Sequence, residues 1–368
     1  MLKTGAVWAL GTMSGTSLDG VDAAMVLTDG DRIAEFGPSA YRAYSKAERK
    51  TIAAAFGKWP GEPGVADAAE VVETAHAEVL SRFDGAELIG FHGQTLAHDP
   101  AAGRTHQCGN GALLAEALGV PVVWDFRSGD VAMGGQGAPL VPFFHYACAH
   151  YVGAATPFAM LNLGGVGNIT WIDPRKPTPE EPGALLAFDT GPANAPINDL
   201  MLRLTDQTQD QGGAFAAKGT VDEALLDAFL SQPYFYKIPP KSLDRNEFVQ
   251  KLGSISALPD HDAVATLTAL AAACVAKGAE HFAAPITQLL VAGGGRHNET
   301  LMTQLSRRMP LVAVAPVDAA GLDGDMLEAQ AFAFLAVRVL RGKPTTCPST
   351  TGVAAAIGGG KISRPERA

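Results

Sequence analysis

Cysteine is scarce in this 368-residue chain: Cys108, Cys148, Cys274 and Cys347 are widely scattered, with no CxxC pair and no metal-ligand spacing. That pattern argues against a disulfide framework and a structural zinc site, and for buried reduced thiols in a cytosolic, reducing compartment. An excess of basic residues is also missing. Lys and Arg number 28 against 38 Asp and Glu, a formal net charge of −10. Nucleic acids and anionic membranes reward Lys and Arg clusters, so neither is an expected partner. No long apolar run opens the chain: one lysine and a short hydrophobic stretch soon meet Asp19 and Asp22. This is too short and too polar for a signal peptide or membrane span. Although there are 41 glycines, no glycine loop is followed by the Lys-Ser/Thr pair of a P-loop.

Hydrophobic residues make up 47% and charged residues 18%, the balance of an ordinary folded protein. A chain this long exceeds one core, which predicts two domains. The sequence also reads as two copies of one pattern. In the first, VWALG, GVDAAMVL and RIAEFG are strands, with the turn TDGD between the last two. A helix near 64–84, the strand ELIGF, the helix GALLAEALG and the strand PVVWDF follow. The second copy has FAMLNLGG, NITWI and ALLAFDTGP, a helix near 262–282, QLLVAGGG, the helix NETLMTQLSRRM and LVAVAPV. Repeated order of this kind predicts two similar α/β lobes, with glycine loops at strand ends lining a cleft. The expected division is 1–145 and 146–368. The second part carries a polar, Pro-rich insertion around 193–258, a final helix DMLEAQAFAFLAVRVL, and a frayed tail KISRPERA.

Three loops have phosphate chemistry. GTMSGTSLDG (11–20) lies between two strands, so it is a hairpin and not a dinucleotide fingerprint. Its amides and the hydroxyls of Thr12, Ser14, Thr16 and Ser17 can cradle phosphate, and Asp19 or Asp22 can hold magnesium. A plain tight hairpin is the alternative. LNLGGVGNIT, with Gly164, Gly165 and Asn168, occupies the matching place in the second copy. AGGGRHN, with Gly293, Gly294 and Gly295, ends a strand and opens a helix, where amides and dipole favour an anion.

Candidate acid–base and binding groups surround these loops. Asp189 ends an apolar strand at a Gly-Pro turn, either as a general base or as an Asx-turn cap on the Thr190–Gly191 amides. Glu328 heads an apolar helical stripe, or serves a capping box with Asp325. Arg127, in the glycine-rich segment 125–145, can bind an anionic group or pair with a neighbouring aspartate. His92 in FHGQT is a crevice residue on the substrate side or a satisfied core histidine. It lacks a second ligand at metal spacing.

Taken in order, GTMSGTSLDGVDAA, GFHGQT, DFRSGDVAMGGQGAPLVP, LNLGGVGNIT, AFDTGPANAPIND, LLVAGGGRHN and LDGDMLEAQAFAFLA span nearly the whole chain. The set resembles the anhydro-N-acetylmuramic acid kinases of the sugar-kinase/Hsp70/actin superfamily. The resemblance implies two ribonuclease-H-like lobes around an ATP cleft, and a homodimer. It also implies ATP- and magnesium-dependent hydrolytic opening of the 1,6-anhydro ring with phosphorylation of O6, a step in peptidoglycan recycling. On this chain Gly15, Thr16, Ser17, Leu18, Asp19, Gly20, Val21 and Asp22 would form the ATP phosphate loop, with Asp19 serving Mg2+. Asp189 would be the base that activates water, and Arg127, Glu328 and His92 would face the sugar, Arg127 meeting the lactyl carboxylate.

Two departures stand out. Ala193 replaces a glycine usual in DTGPGN, and GKPTTCPSTTGV carries Thr346 and Cys347 where the family has Asn and Leu. Rival expectations are a levoglucosan-type kinase of the same fold, a nucleotide-driven regulator without sugar chemistry, and a glycosidase using Asp189 and Glu328 as its carboxylate pair.

Overall fold

The period-2 and helix-period segments fold as regular elements throughout residues 5–243 and 252–366, which the computed structural model describes. In chain order the first are β1 (Val7–Ser14), β2 (Gly20–Thr28), β3 (Ile33–Ala43), α1 (Lys46–Ala53), α2 (Val65–Leu80), β4 (Leu88–Asp99), β5 (Arg104–Cys108), α3 (Gly111–Leu118) and β6 (Val122–Trp124). Next come α4 (Ser128–Ala132), α5 (Pro142–Tyr151), β7 (Phe158–Leu163), β8 (Val166–Ile172), β9 (Leu185–Pro192), α6 (Asn194–Thr205), α7 (Glu223–Leu230) and α8 (Asp260–Gly278). The last are β10 (Gln288–Ala292), α9 (Glu299–Arg308), β11 (Ala313–Pro316), α10 (Leu327–Leu340), α11 (Pro348–Thr351) and β12 (Lys361–Ser363).

Two compact units result, one from Met1–Gly153, Thr178–Glu180 and Met326–Ala368, the other from Ala154–Pro177 and Glu181–Asp325. The first unit's sheet runs β3-β2-β1-β4-β6-β12, with β5 also paired to β4. β1, β4 and β6 are parallel, while β2 is antiparallel to both neighbours. The second unit's sheet runs β9-β8-β7-β10-β11 with the same senses: β7, β10 and β11 parallel, β8 antiparallel. Each is the ribonuclease-H-like α/β arrangement, so the duplication read from the sequence is a duplication of topology.

Helix α2 buries Val65, Ala68, Val72, Ala75 and Val79, a helix-period stripe, against Leu10, Val21 and Phe91 of the first sheet. Helix α10 covers the same sheet and touches its backbone. A Cβ on Gly11 would lie 2.0 Å from the Ala329 carbonyl oxygen, and one on Gly90 would lie 2.1 Å from that of Phe332. Gly11 and Gly90 are register partners on β1 and β4, so together they form a side-chain-free seat. This seat explains a difference from the expected division at 145/146. The final helix belongs by packing to the first unit and not to the second.

Two further expectations change. Within its described residues the tail is not frayed: β12 pairs with β6, the Trp124 indole donates to Ser363 Oγ at 3.0 Å, and Lys361 pairs with Asp125 at 2.8 Å. The 193–258 insertion is not simply polar either, although its residues 244–251 lie outside the described residues. Its Ile197, Leu200, Leu226, Phe229 and Phe235 pack on Leu267 and Leu270 of α8. The opposite side of α8 uses Ala271, Ala272 and Val275 against the second sheet. That two-sided burial is why Asp260–His281 is apolar enough by composition to cross a membrane while 78% of the window is buried within the protein.

Gly11→Ala should cost about 3 kcal/mol or more through overpacking against the α10 backbone. Gly5→Ala, with nothing within 4 Å of the added atom, should leave stability nearly unchanged. Urea denaturation of both variants measures this, and equal midpoints would refute the seat.

Candidate functional site

The hairpin between β1 and β2 is held from beneath by buried polar groups. Ser14 Oγ donates to Gln94 Oε1 at 2.5 Å and lies 3.0 Å from the Tyr44 hydroxyl, while Gln94 Nε2 donates to the Gly15 carbonyl at 3.3 Å. Burial pushes the Tyr44 phenol up to about 12, so it stays protonated as a hydrogen-bonding group. The turn closes through Leu18 N–H to the Gly15 carbonyl at 3.2 Å, with Leu18 in the left-handed region at φ 58° and its side chain in the core. The Asp19 carbonyl accepts from Tyr44 N–H at 3.0 Å and the Tyr41 hydroxyl at 2.8 Å. Asp19's own side chain is exposed, as are those of Thr16 and Ser17.

This geometry divides the expected Gly15–Asp22 loop. Gly15, Thr16, Ser17 and Asp19 form the accessible tip. Leu18 and Val21 are core residues, and Gly20 is glycine because a Cβ would meet the Arg42 carbonyl at 2.3 Å and the Tyr41 ring at 2.6 Å. Gly20, Val21 and Asp22 are already paired in the β2 ladder, opposite Ala43, Arg42 and Tyr41. Gln94 escaped sequence reading because its role, a long-range bond to a loop 79 residues away, has no local pattern.

Arg127, His92 and Glu328 come together in the same unit. Arg127 Nε donates to His92 Nε2 at 2.9 Å, and Nη1 donates to the Gly137 carbonyl at 2.6 Å. Because arginine only donates, His92 Nε2 must be unprotonated and Nδ1 carries the proton, aimed at the Gly93 carbonyl 2.7 Å away. Burial and the Arg127 charge hold His92 well below its usual pKa. The expected substrate-side role for His92 is therefore corrected. Both nitrogens are engaged and the residue is 2% exposed, so it orients Arg127. The aspartate ion-pair alternative for Arg127 also fails. Asp125 pairs with Lys361, and Asp130 accepts from Gly137 N–H and the Thr351 hydroxyl, each at 2.6 Å. The Thr351 carbonyl also accepts from Gln136 N–H at 2.8 Å. Through Thr351, then, the C-terminal TTCPSTTG segment pins the glycine-rich loop.

Burial lowers the Arg127 guanidinium to about 10, offset by Glu328 and Asp130. Glu328 is reachable by solvent, yet protein surrounds it closely enough to raise its carboxyl, which Arg127 pulls back. No capping box explains Glu328: the N-cap of α10 is Met326 without a side-chain bond, and Asp325 pairs with Arg296 at 2.8 Å.

In the second unit, Asp189 is gripped on every side. Its Oδ1 accepts from Asn168 Nδ2 and its Oδ2 from Leu243 N–H, both at 2.8 Å. Its N–H donates to the Lys241 carbonyl at 2.9 Å, and its carbonyl accepts from the Tyr234 hydroxyl at 2.6 Å. Thr190 is the extra residue of a bulge, since Asn168 pairs with Asp189 and Gly167 with Gly191. The carboxylate bonds are not those of an Asx-turn cap on Thr190 and Gly191. Burial raises the Asp189 pKa, and the Asn168 and Leu243 bonds oppose the rise. Asn168, expected with the cofactor residues, instead has its side chain on Asp189.

Gly164 and Gly165 latch the start of α6: their carbonyls accept from Asn194 N–H at 2.9 Å and Ala193 N–H at 3.0 Å. Ala193 sits at φ −128° and ψ −110°, outside the left-handed region. Gly293 and Gly295 are packing glycines, where a Cβ would meet Asn162 Oδ1 at 2.3 Å and Leu163 Cβ at 2.5 Å. Gly294 has room. It lines a recess of about 260 Å3 with Gly164, Gly165, Asn194, Gln209 and His297. Contrary to the expected anion site, AGGGRHN does not run straight into α9: a 3-10 turn, Gly294–His297, intervenes, and Asn298 caps the helix with its own side chain. A larger groove of about 870 Å3 beside Thr220, Thr303 and Arg307 contains none of the expected loop glycines.

The family profile described as anhydro-N-acetylmuramic acid kinase matches residues 7–364. The chain belongs to the anhydro-N-acetylmuramic acid kinase family. It is an enzyme, a kinase of that family. A protein of Cereibacter sphaeroides named anhydro-N-acetylmuramic acid kinase is 67% identical over 366 residues, covering 100% of this chain and 98% of that protein. One of the same name from Ruegeria sp. is 59% identical, with 99% and 96% covered. Among solved structures, the activator of the 2-hydroxyisocaproyl-CoA dehydratase from Clostridium difficile with bound ADPNP is 11% identical, with a TM-score of 0.44 and coverage of 91% and 96%. Among the described residues no group of three or more His, Cys, Asp or Glu could hold a metal ion.

Gln94→Leu should lower stability by about 1–3 kcal/mol by leaving the Ser14 hydroxyl and Gly15 carbonyl underbonded. It should also raise the KM for ATP more than that for the sugar. Thermal melts with initial-rate kinetics check both; an unchanged ATP KM would detach the buried network from the loop's function.

Proposed function

We propose that the chain opens the 1,6-anhydro ring of 1,6-anhydro-N-acetylmuramic acid with water and transfers the γ-phosphoryl group of ATP to O6, giving N-acetylmuramate 6-phosphate and ADP. The observation that carries this reading is the Asp189 carboxylate, fixed by the Asn168 amide and the Leu243 N–H and raised in pKa by burial. A base held in one orientation, with its pKa moved toward neutrality, suits proton removal from water. In this mechanism Asp189 takes the proton as the water oxygen attacks C1. The C1–O6 bond breaks, and O6 with its electron pair accepts the phosphoryl group.

The remaining residues position and neutralise. Thr16, Ser17 and the Gly15 backbone at the hairpin tip suit the phosphates, and the recess at Gly164, Gly165 and Gly294 suits the nucleoside end. Magnesium would be held by Asp19 with phosphate oxygens and water, which one exposed carboxylate suits because Mg2+ keeps most of its shell from water and phosphate. When bound it offsets phosphate charge. Arg127 spends two of its five donors on His92 and Gly137 and offers the rest to the lactyl carboxylate, with Glu328 beside it accepting from sugar hydroxyls. An arginine held for an anion favours this substrate over levoglucosan, which lacks a carboxylate. Four free, buried cysteines suit the reducing cytoplasm where such chemistry would operate.

Turnover in oxygen-18 water should place label on the anomeric hydroxyl and none in the phosphate; label in the phosphate would overturn the mechanism. Asp189→Asn should cut kcat by about 10³-fold while ATP affinity is kept. Arg127→Met should raise the sugar KM by about tenfold or more with the ATP KM unchanged. Equal losses toward both substrates would remove Arg127 from the sugar site.

A further inference from the structure

Lys241 is a half-buried cation whose setting its surface chemistry does not require. Its ammonium donates to the carbonyls of Tyr234 at 3.1 Å and Phe235 at 3.4 Å and lies 3.2 Å from His281 Nε2. It also stands over the Tyr234 ring at 4.9 Å and the Phe188 ring at 5.6 Å. Taking an ammonium from water costs several kcal/mol unless such partners replace the solvent. A methionine would fill the space without that penalty, so the charge itself has a role.

That role is visible in the backbone around it. The Lys241 carbonyl accepts from Asp189 N–H, and two residues on, Leu243 N–H reaches Asp189 Oδ2. The segment tied down by the ammonium, Pro233–Tyr236, also holds Asp189, through the Tyr234 hydroxyl on its carbonyl. We infer that Lys241 is a positioning residue for Asp189: its ammonium fastens the 241–243 strap to the 233–236 turn and so keeps the Leu243 N–H on the carboxylate. This rests on the reading of Asp189 as the base.

Charge at Lys241 is titratable in a useful range. Burial lowers its pKa to about 8, with Lys237 and Lys277 adding to the fall. The groups that face it are Lys237 and Tyr234 from the turn, Lys277 from α8, and His281 from the short helix Ala279–His281; Lys277 is itself paired with Glu280 at 2.6 Å. Above this pKa the ammonium loses its charge and one donor, and the strap loosens. The Leu243 bond favours the ionised carboxylate, so its loss raises the Asp189 pKa further. A base must be deprotonated to act, so a variant that lacks the ammonium at every pH has its acid limb moved to higher pH, whereas wild type loses the positioning only above the Lys241 pKa.

The test compares pH profiles of kcat for wild type, Lys241→Met and Lys241→Arg on 1,6-anhydro-N-acetylmuramic acid, with Asp189→Asn assayed in parallel. Lys241→Met should lower kcat about tenfold and move the acid limb up by about one pH unit, with the ATP KM unchanged. Lys241→Arg should restore the acid limb and remove the alkaline loss expected of wild type as Lys241 deprotonates around its pKa of about 8. Superimposable profiles alongside an inactive Asp189→Asn would sink the positioning role and leave Asp189 as the base. An active Asp189→Asn would sink both. Should Lys241→Met not fold, wild type against Lys241→Arg decides, because identical alkaline limbs refute the inference.

Discussion

Helix α10 lies so close to the first sheet that no side chain fits between them at Gly11 and Gly90. Backbone-to-backbone contact of this kind fixes the helix in two directions at once, since a shift of one residue would drive Cβ atoms of β1 or β4 into the helix. Everything proposed for the first unit hangs on that contact. The helix carries Glu328 at its start, β1 leads into the hairpin proposed for phosphate, and β4 carries His92, which accepts from Arg127 Nε. Phe332, whose carbonyl Gly90 accommodates, stacks at 4.6 Å on the His92 ring and so couples the seat to the site.

In the second unit the proposed base, Asp189, has to stay basic without wandering. Burial alone would raise the pKa of Asp189, and strong cationic pairing would lower it. The donors the structure supplies are an amide side chain and a backbone N–H, enough to orient the group while moderating the shift. In the first unit the same logic applies with opposite charges. Arg127 and Glu328 are each pushed toward neutrality by burial and each partly restored by the other.

Repeated order along the chain announced two similar α/β units because strand periodicity and strand-end glycines are local signals. The glycine loops were recognisable for the same reason, but their glycines were not equivalent. Gly15 and Gly294 have room beside them, whereas Gly20, Gly293 and Gly295 are filled against by neighbours distant in sequence. No local pattern separates the two kinds. Asp189 and Glu328 each carried a local alternative, an Asx turn and a capping box, and the bonds each residue or its partner makes in the folded chain exclude both.

The amino-acid sequence by itself determined the duplicated topology, the family, and the identity of Asp189, Arg127 and Glu328 as candidates, because these rest on periodicity and on residue types in fixed order. Only the tertiary structure decided that the final helix and the tail belong with the first sheet. It also decided that His92 serves Arg127, that Asn168, Tyr234 and the 241–243 strap hold Asp189, and that Gln94 supports the hairpin. Each of these depends on contacts between segments far apart in the chain, and such contacts become defined only when the backbone closes on itself.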